Sequence, residues 1–316
     1  MSTPSGKQPR ALFAGLCTLD IIQSVTHVPT ANEKMTALCQ TVAAGGPVTN
    51  AAVAFVHLGG HATLLTGVGA HPLAQGIRAD LGQAGVVLID VADGEAAPPP
   101  VSSIMVSTGS GERALVSENA TGRMLMPPAG LEDLVKNSQT ILIDAHHCEL
   151  ALAAARAVRA HGRLCILDGG SWKDNTHELL PYVDIAVCSA DFHPPGTSTP
   201  DERLDYLLDS GVSWAAITNG ADPIAWAGRG MRSEIAVPAV TVVDTLGAGD
   251  IFHGSFAHAI SAARKIDSAT FVSALQFGMK VAGYACQFFG TRKWLRTGPT
   301  RASEFASHGD PSGGQD

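Results

Sequence analysis

The sequence predicts an α/β protein, with a mostly parallel sheet covered by helices on both faces and a small second β-sheet beside it. Three observations carry this expectation. From residue 139 on, strand-length apolar runs alternate with helical stretches, which implies parallel strands joined by right-handed crossovers. An earlier apolar run, Ala11–Leu16, has the length and composition of a central strand. Two groups of short β-type segments, near residues 21–44 and 102–117, fall outside the alternation.

The elements follow in chain order. Ala11–Leu16 runs into Cys-Thr-Leu-Asp20, so Asp20 is expected at the carboxyl end of a strand, where open α/β sheets meet their ligands. Gly45-Gly46-Pro47 precedes an alanine-rich stretch ending in Gly59-Gly60. Proline suits the first helical turn, glycine suits the end, and Asn50 lies in or just after that first turn. Ala62–Thr66 reads as a strand, and Leu73–Gln83 as a helix closed by Gly85. Ser102–Thr108 and Arg113–Ser117 flank Gly109-Ser-Gly-Glu112 as a hairpin. Thr140–Asp144, Leu164–Asp168, Asp184–Cys188 and Trp214–Thr218 read as strands, with helices at Glu149–Ala160 and Asp201–Asp209. A β-type stretch near 224–243 leads to Val243-Asp-Thr-Leu-Gly-Ala-Gly-Asp250, after which apolar residues recur at helical spacing.

That last junction carries the chemistry. Gly247-Ala248-Gly249 falls at a helix N-terminus, where free N–H groups and the helix dipole attract an anion. Asp250, in the first turn, is placed to take a proton from a hydroxyl held near that anion. The bland alternative is a tight turn followed by a capping acid.

The longer context decides between them. Asp244–Asp250 resembles the second signature of the ribokinase-like PfkB family of carbohydrate and nucleoside kinases, and Gly45-Gly46 followed by Asn50 resembles the first. The resemblance implies a three-layer α/β/α sandwich with a mostly parallel central sheet and a small β-sheet lid. It covers residues 11–300 as one kinase domain. The lid would be discontinuous, roughly 17–44 and 98–124, with flexible tails at 1–10 and 302–316. It also implies ATP and Mg²⁺, and leaves a K⁺ requirement open. By similarity, Asp250 is the general base and the Gly247, Ala248 and Gly249 amides form the anion hole. Asp20, Gly45, Gly46 and Asn50 hold a sugar-like acceptor, Thr218 and Gly220 face the nucleotide, and Asp244 lies near a cation. Where the family has Asn-x-x-Glu, this chain has Ser189-Ala-Asp191-Phe192. Ser189 then falls beside the nucleotide, and Asp191, one residue off, is the substitute as a metal contact. Ser-x-Asp here, like the run into Asp250, is similar to ketohexokinases. A homodimer through the lid is a further implication. A nucleoside kinase of the same fold and a non-catalytic sugar or nucleotide sensor are the alternatives.

Composition narrows the classes. The 316 residues are 45% hydrophobic and 16% charged, with net charge −8 and 5% aromatics. An acidic chain without basic runs or an aromatic surface is not expected to bind nucleic acid. No 18-residue apolar stretch suggests a membrane partner, and the polar start lacks a signal-peptide core, so a cytoplasmic protein is expected. The six scattered cysteines read as buried thiols. No G-x-G-x-x-G follows the first strand and no G-x-x-x-x-G-K-[ST] occurs, which argues against a dinucleotide dehydrogenase and a Walker-type kinase.

Overall fold

The computed structural model describes residues 8–108 and 113–307. The large sheet is built from β1 (Arg10–Ala14), β4 (His61–Thr66), β5 (Val87–Asp90), β8 (Thr140–Asp144), β9 (Leu164–Gly169), β10 (Ile185–Ser189), β11 (Trp214–Asn219), β12 (Asp222–Gly228) and β13 (Met231–Ile235). Their order is β13-β12-β11-β10-β9-β8-β1-β4-β5, and only β12 and β13 run antiparallel to their neighbours. The small sheet, β3-β2-β6-β7, comprises β2 (Thr18–Val25), β3 (Cys39–Gly45), β6 (Val101–Ser107) and β7 (Arg113–Ser117).

Helices α1 (Pro47–His57), α2 (Ala74–Ala84), α7 (Ala248–Ala262) and α8 (Ser268–Ala285) cover one face of the large sheet. Helices α3 (Leu131–Lys136), α4 (Cys148–Ala160), α5 (Thr176–Leu179) and α6 (Pro200–Asp209) cover the other. Each strand sends alternate residues to each face. Phe13 of β1 thus joins α1 and α7, while Leu12 and Ala14 join α4. This is the expected three-layer α/β/α arrangement.

The chain runs outward from β1 in both directions, to β4 on one side and β8 on the other. The crevice of a doubly wound sheet opens at such a point. The backbone N–H of Leu16, just past β1, donates to Asp144 Oδ2 at the end of β8 and ties the two strand ends together.

Four expectations shift. Asp20 is not at the end of β1: the chain turns at Gly15–Cys17 and places Asp20 third in β2. The β-type run expected to reach 243 leaves the ladder at Ile235, and Pro238, having no N–H, cannot extend it. Ala302–Ser307, expected as tail, forms α9, because Phe305 finds a site against Ala54, Ile251 and Trp294. Arg10, also assigned to a tail, opens β1. The expected hairpin turn Gly109–Glu112 and the tail segments 1–7 and 308–316 lie outside the described residues. Of the cysteines, Cys17, Cys165, Cys188 and Cys286 are buried, Cys148 is half-buried and Cys39 is exposed. No helix among the described residues is long and apolar enough to cross a membrane.

Candidate active site

Two helix starts meet at the crevice. Gly46 precedes α1 with φ 100°, and a Cβ there would lie 2.3 Å from the Leu16 carbonyl oxygen, so glycine is required. Gly247 precedes α7 with φ 73°. The helices pack closely because Gly254 has no side chain: a Cβ would sit 2.2 Å from the Ala51 carbonyl oxygen. That approach brings Asn50 to Asp250, and Asn50 Nδ2 donates to Asp250 Oδ2 at 2.8 Å.

At the start of α7, the N–H groups of Gly247 and Gly249 have no acceptor among the described residues, while Ala248 N–H donates to Thr245 O at 3.2 Å. A Cβ on Gly249 would meet nothing within 4 Å, so the space above that turn is open. An anion there would find unpaired donors and the positive end of a 15-residue helix.

Asp250 is the group these surroundings perturb most usefully. Burial and the nearby carboxylate of Asp168 raise its pKa to about 7, against the lowering effects of Asn50 and His253 and with a further rise from Asp20. Asp144 moves the other way. Burial alone would raise it, but His146 and the N–H groups of Leu16 and His146 outweigh that and hold it at about 2. One acid is therefore poised as a base near neutrality, and the other is a fixed anion that ties two strand ends.

Asp20 faces the same crevice from the small sheet. Thr18 Oγ1 donates to its Oδ1 at 2.6 Å, and burial raises its pKa despite Thr18, Ser102 and Arg292. A Cβ on Gly45 would fall 1.9 Å from its carboxylate, so Gly45 is the bare backbone that lets Asp20 in.

The residues expected to face a nucleotide stand at or just past the carboxyl ends of β10 and β11. Ser189 Oγ donates to Gly170 O at 2.5 Å and accepts from Asp191 N–H. Thr218 Oγ1 donates to Cys188 O at 3.3 Å, at a register shift in the β11–β12 pair, and Gly220 follows with φ 56°. Asp191 is exposed, whereas Phe192 is fully buried against Trp172. The aromatic ring at the expected glutamate position thus belongs to the core. Asp244 is buried, and each of its oxygens accepts an N–H, from Leu246 at 2.9 Å and Gly290 at 2.8 Å. Among the described residues no group of three or more His, Cys, Asp or Glu side chains is arranged to hold a metal ion.

Sequence reasoning missed four residues. Asp168, next to last in β9, lies buried beside the site, and the acid-at-a-strand-end argument applied to Asp20 would have found it. His253 lies one turn into α7: its Nδ1 is 2.7 Å from Gly249 O and 3.3 Å from Asp168 Oδ2, and its Nε2 is 3.0 Å from Val187 O. Arg292 and Asp80 pair at 3.0 Å behind Asn50, and neither carries a local motif. A cavity of about 290 Å³ is lined by Asp80, Arg292, His57 and Arg296, on the side of Asn50 away from Asp250.

With this geometry in view, comparison with known proteins is informative. The model of the pfkB family carbohydrate kinases matches residues 9–297. A deoxyribokinase from Salmonella typhi is 27% identical over 289 residues, covering 85% of this chain and 91% of its own. A ketohexokinase from Mus musculus is 24% identical over 303 residues, covering 90% and 98%. The structure of Arabidopsis thaliana ribokinase complexed with ribose and ATP superposes with a TM-score of 0.75 at 22% identity, covering 92% of this chain and 99% of that one.

Proposed function

This chain belongs to the pfkB family of carbohydrate kinases, and we propose that Asp250 is the general base with which it phosphorylates a hydroxyl of a small sugar. By membership it is an ATP-dependent carbohydrate kinase. The observation that carries the residue assignment is the raised carboxyl of Asp250, at the open, anion-attracting start of α7.

In this reading the acceptor lies against Gly45-Gly46, with Asp20 and Asn50 as its polar contacts. Asp250 takes the hydroxyl proton as the oxygen attacks the γ-phosphorus, and the bond from that phosphorus to the β,γ-bridging oxygen breaks, with ADP as the leaving group. The Gly247 and Gly249 amides receive the developing charge, joined by Ala248 once its N–H leaves Thr245 O. Mg²⁺ arrives as Mg·ATP, held mostly by phosphate and water. That fits a site where the exposed Asp191 is the nearby free carboxylate and no all-protein cage is seen among the described residues. Thr218, Gly220 and Ser189 border the nucleotide. Asp244 ties the loop before α7 to Gly290. A monovalent cation beside it would draw chiefly on backbone carbonyls, since both carboxylate oxygens already accept N–H groups.

The deoxyribokinase and ketohexokinase relatives support a pentose or ketohexose as acceptor. The small sheet is read as a lid. Val42 and Val116, exposed in one register row with Ile21 and Ser103, support a homodimer through its outer face. The test is ADP release from Mg·ATP across ketoses, pentoses, sugar acids, sugar phosphates and nucleosides, beside the Asp250→Asn variant. An acceptor-dependent signal lost in the variant is expected. A signal with nucleosides alone would replace the sugar reading, and undiminished turnover in the variant would remove the base assignment.

A further inference from the structure

We propose that Arg292 is a positioning residue for phosphoryl transfer: anchored by Asp80, its guanidinium fixes the side-chain amide of Asn50 so that the NH₂ end faces Asp250. The proposal rests on the reading of Asp250 as the base.

A guanidinium has five N–H donors and no acceptor. Here every donor has a partner. Nε donates to Asp80 Oδ2 at 3.1 Å. Nη2 donates to Asp80 Oδ2 at 3.0 Å and to Ala44 O at 2.6 Å. Nη1 donates to Thr291 O at 3.2 Å and to Asn50 Oδ1 at 2.9 Å. Asp80 Oδ2 also accepts from Ala44 N–H at 3.0 Å, so one ion pair holds both backbone groups of the residue before Gly45-Gly46.

The consequence for Asn50 is strict. Its amide has two ends of opposite character, and an arginine can face only the oxygen. With Oδ1 held by Arg292, Nδ2 is turned to Asp250 Oδ2. Without the arginine, nothing among the described contacts of Asn50 would keep its oxygen from the carboxylate. A donor facing Asp250 favours its charged form, and a misplaced oxygen disfavours it. The other groups acting on Asp250 are Asp168 from β9 and Asp20 from β2, which raise its pKa, and His253 from α7, which lowers it. Arg292 acts directly on Asp20, but reaches Asp250 through Asn50.

The experiment is the pH profile of kcat/KM for Arg292→Met, Asn50→Ala and the double variant, each checked by thermal melt. Arg292→Met keeps an apolar stem and removes every donor. Its acid limb is expected to move up by about one pH unit, with roughly fivefold lower kcat/KM at pH 7 that largely recovers by pH 9. Asn50→Ala should show the same displacement, and the double variant no more than either single one. An unmoved limb, or displacements that add, would overturn the proposal; addition would mean that the arginine acts through Asp20. If Arg292→Met does not fold, Arg292→Lys, which keeps the charge and loses the fork, is read in the same way. Failure of the underlying reading looks different: Asp250→Asn would retain turnover. If that variant is dead and the limb of Arg292→Met stays in place, only the positioning role falls.

Discussion

The two walls of the cleft are anchored differently. Helices α1 and α7 meet with no room for a methyl group at Gly254, and they hold Asn50 and Asp250 at 2.8 Å. The inner end of the small sheet joins the main core through Leu19 and Ala44, but its outer part rests on the loops before α7 and after α8 through a thin layer, Ile22, Ile104 and Val106 against Leu246 and Phe289, and no residue of β7 is buried. Tight packing fixes geometry, and sparse apolar contact lowers the free energy of local opening. The wall proposed to perform proton and phosphoryl transfer is therefore rigid. The outer strands of the small sheet, β6 and β7, are freer to yield to an acceptor, and closure of such an element over the proposed site would exclude water.

The contrast can be broken at several points. The largest effect is expected at the base. Asp250→Asn should lower turnover by roughly 10²–10⁴-fold while ATP and acceptor binding stay within a few-fold, by steady-state kinetics and calorimetry. The same change should stabilise the fold at alkaline pH. The folded carboxyl titrates at about 7, above its ordinary 3.8, so its favourable contribution is complete below the unfolded value and lost as pH rises through 7. The variant should thus melt higher than the parent at pH 8, and no higher at pH 4. For the parent enzyme, kcat/KM should fall about tenfold per pH unit well below 7, since the base must be ionised.

Next comes Gly249→Val. Open space above Gly249 predicts an intact fold with an obstructed anion hole, a loss on the order of 100-fold in kcat/KM with a nearly unchanged melting temperature. A fully active variant would count against the helix-terminus argument. Gly254→Ala tests rigidity itself: a methyl 2.2 Å from Ala51 O must push α1 from α7, costing about 1–3 kcal/mol in denaturant titration. Activity should fall more steeply than stability, because Asn50 leaves Asp250. The smallest global effect is expected from Ile104→Ala in the small sheet. It should loosen that sheet and raise acceptor KM, with kcat changed little. A fall in kcat equal to that of Gly254→Ala would erase the distinction between the walls.

Most of the architecture was legible in the sequence because periodicity reports which faces are buried. The run Ile251, Phe252, Phe256, Ile260 repeats at helical spacing, and all four pack in α7, three of them in the main core. Gly85, read as a stop signal, adopts φ 75° at the end of α2. What failed depended on neighbours remote in sequence. Phe305 stands in a polar stretch and is drawn into a helix by Ala54, Ile251 and Trp294. Asp20 shifted one strand along because the turn at Gly15 makes room for Asp144, whose carboxyl carbon would lie 2.4 Å from a Cβ there. At the site, Gly247–Gly249 and Asp250 were readable as a compact signal. Arg292 was not, since its meaning comes from Asn50, 242 residues away.

That separation also bears on synthesis. Asn50 leaves the ribosome long before Asp250, 200 residues later, and Arg292 follows 242 residues after Asn50. A growing chain that has not yet reached residue 247 can present the Gly45-Gly46 turn but lacks the proposed base and anion hole, and one that has not reached 292 lacks the arginine brace. On the proposed roles, the site is assembled in that order, acceptor side first, proton-transfer side next and brace last.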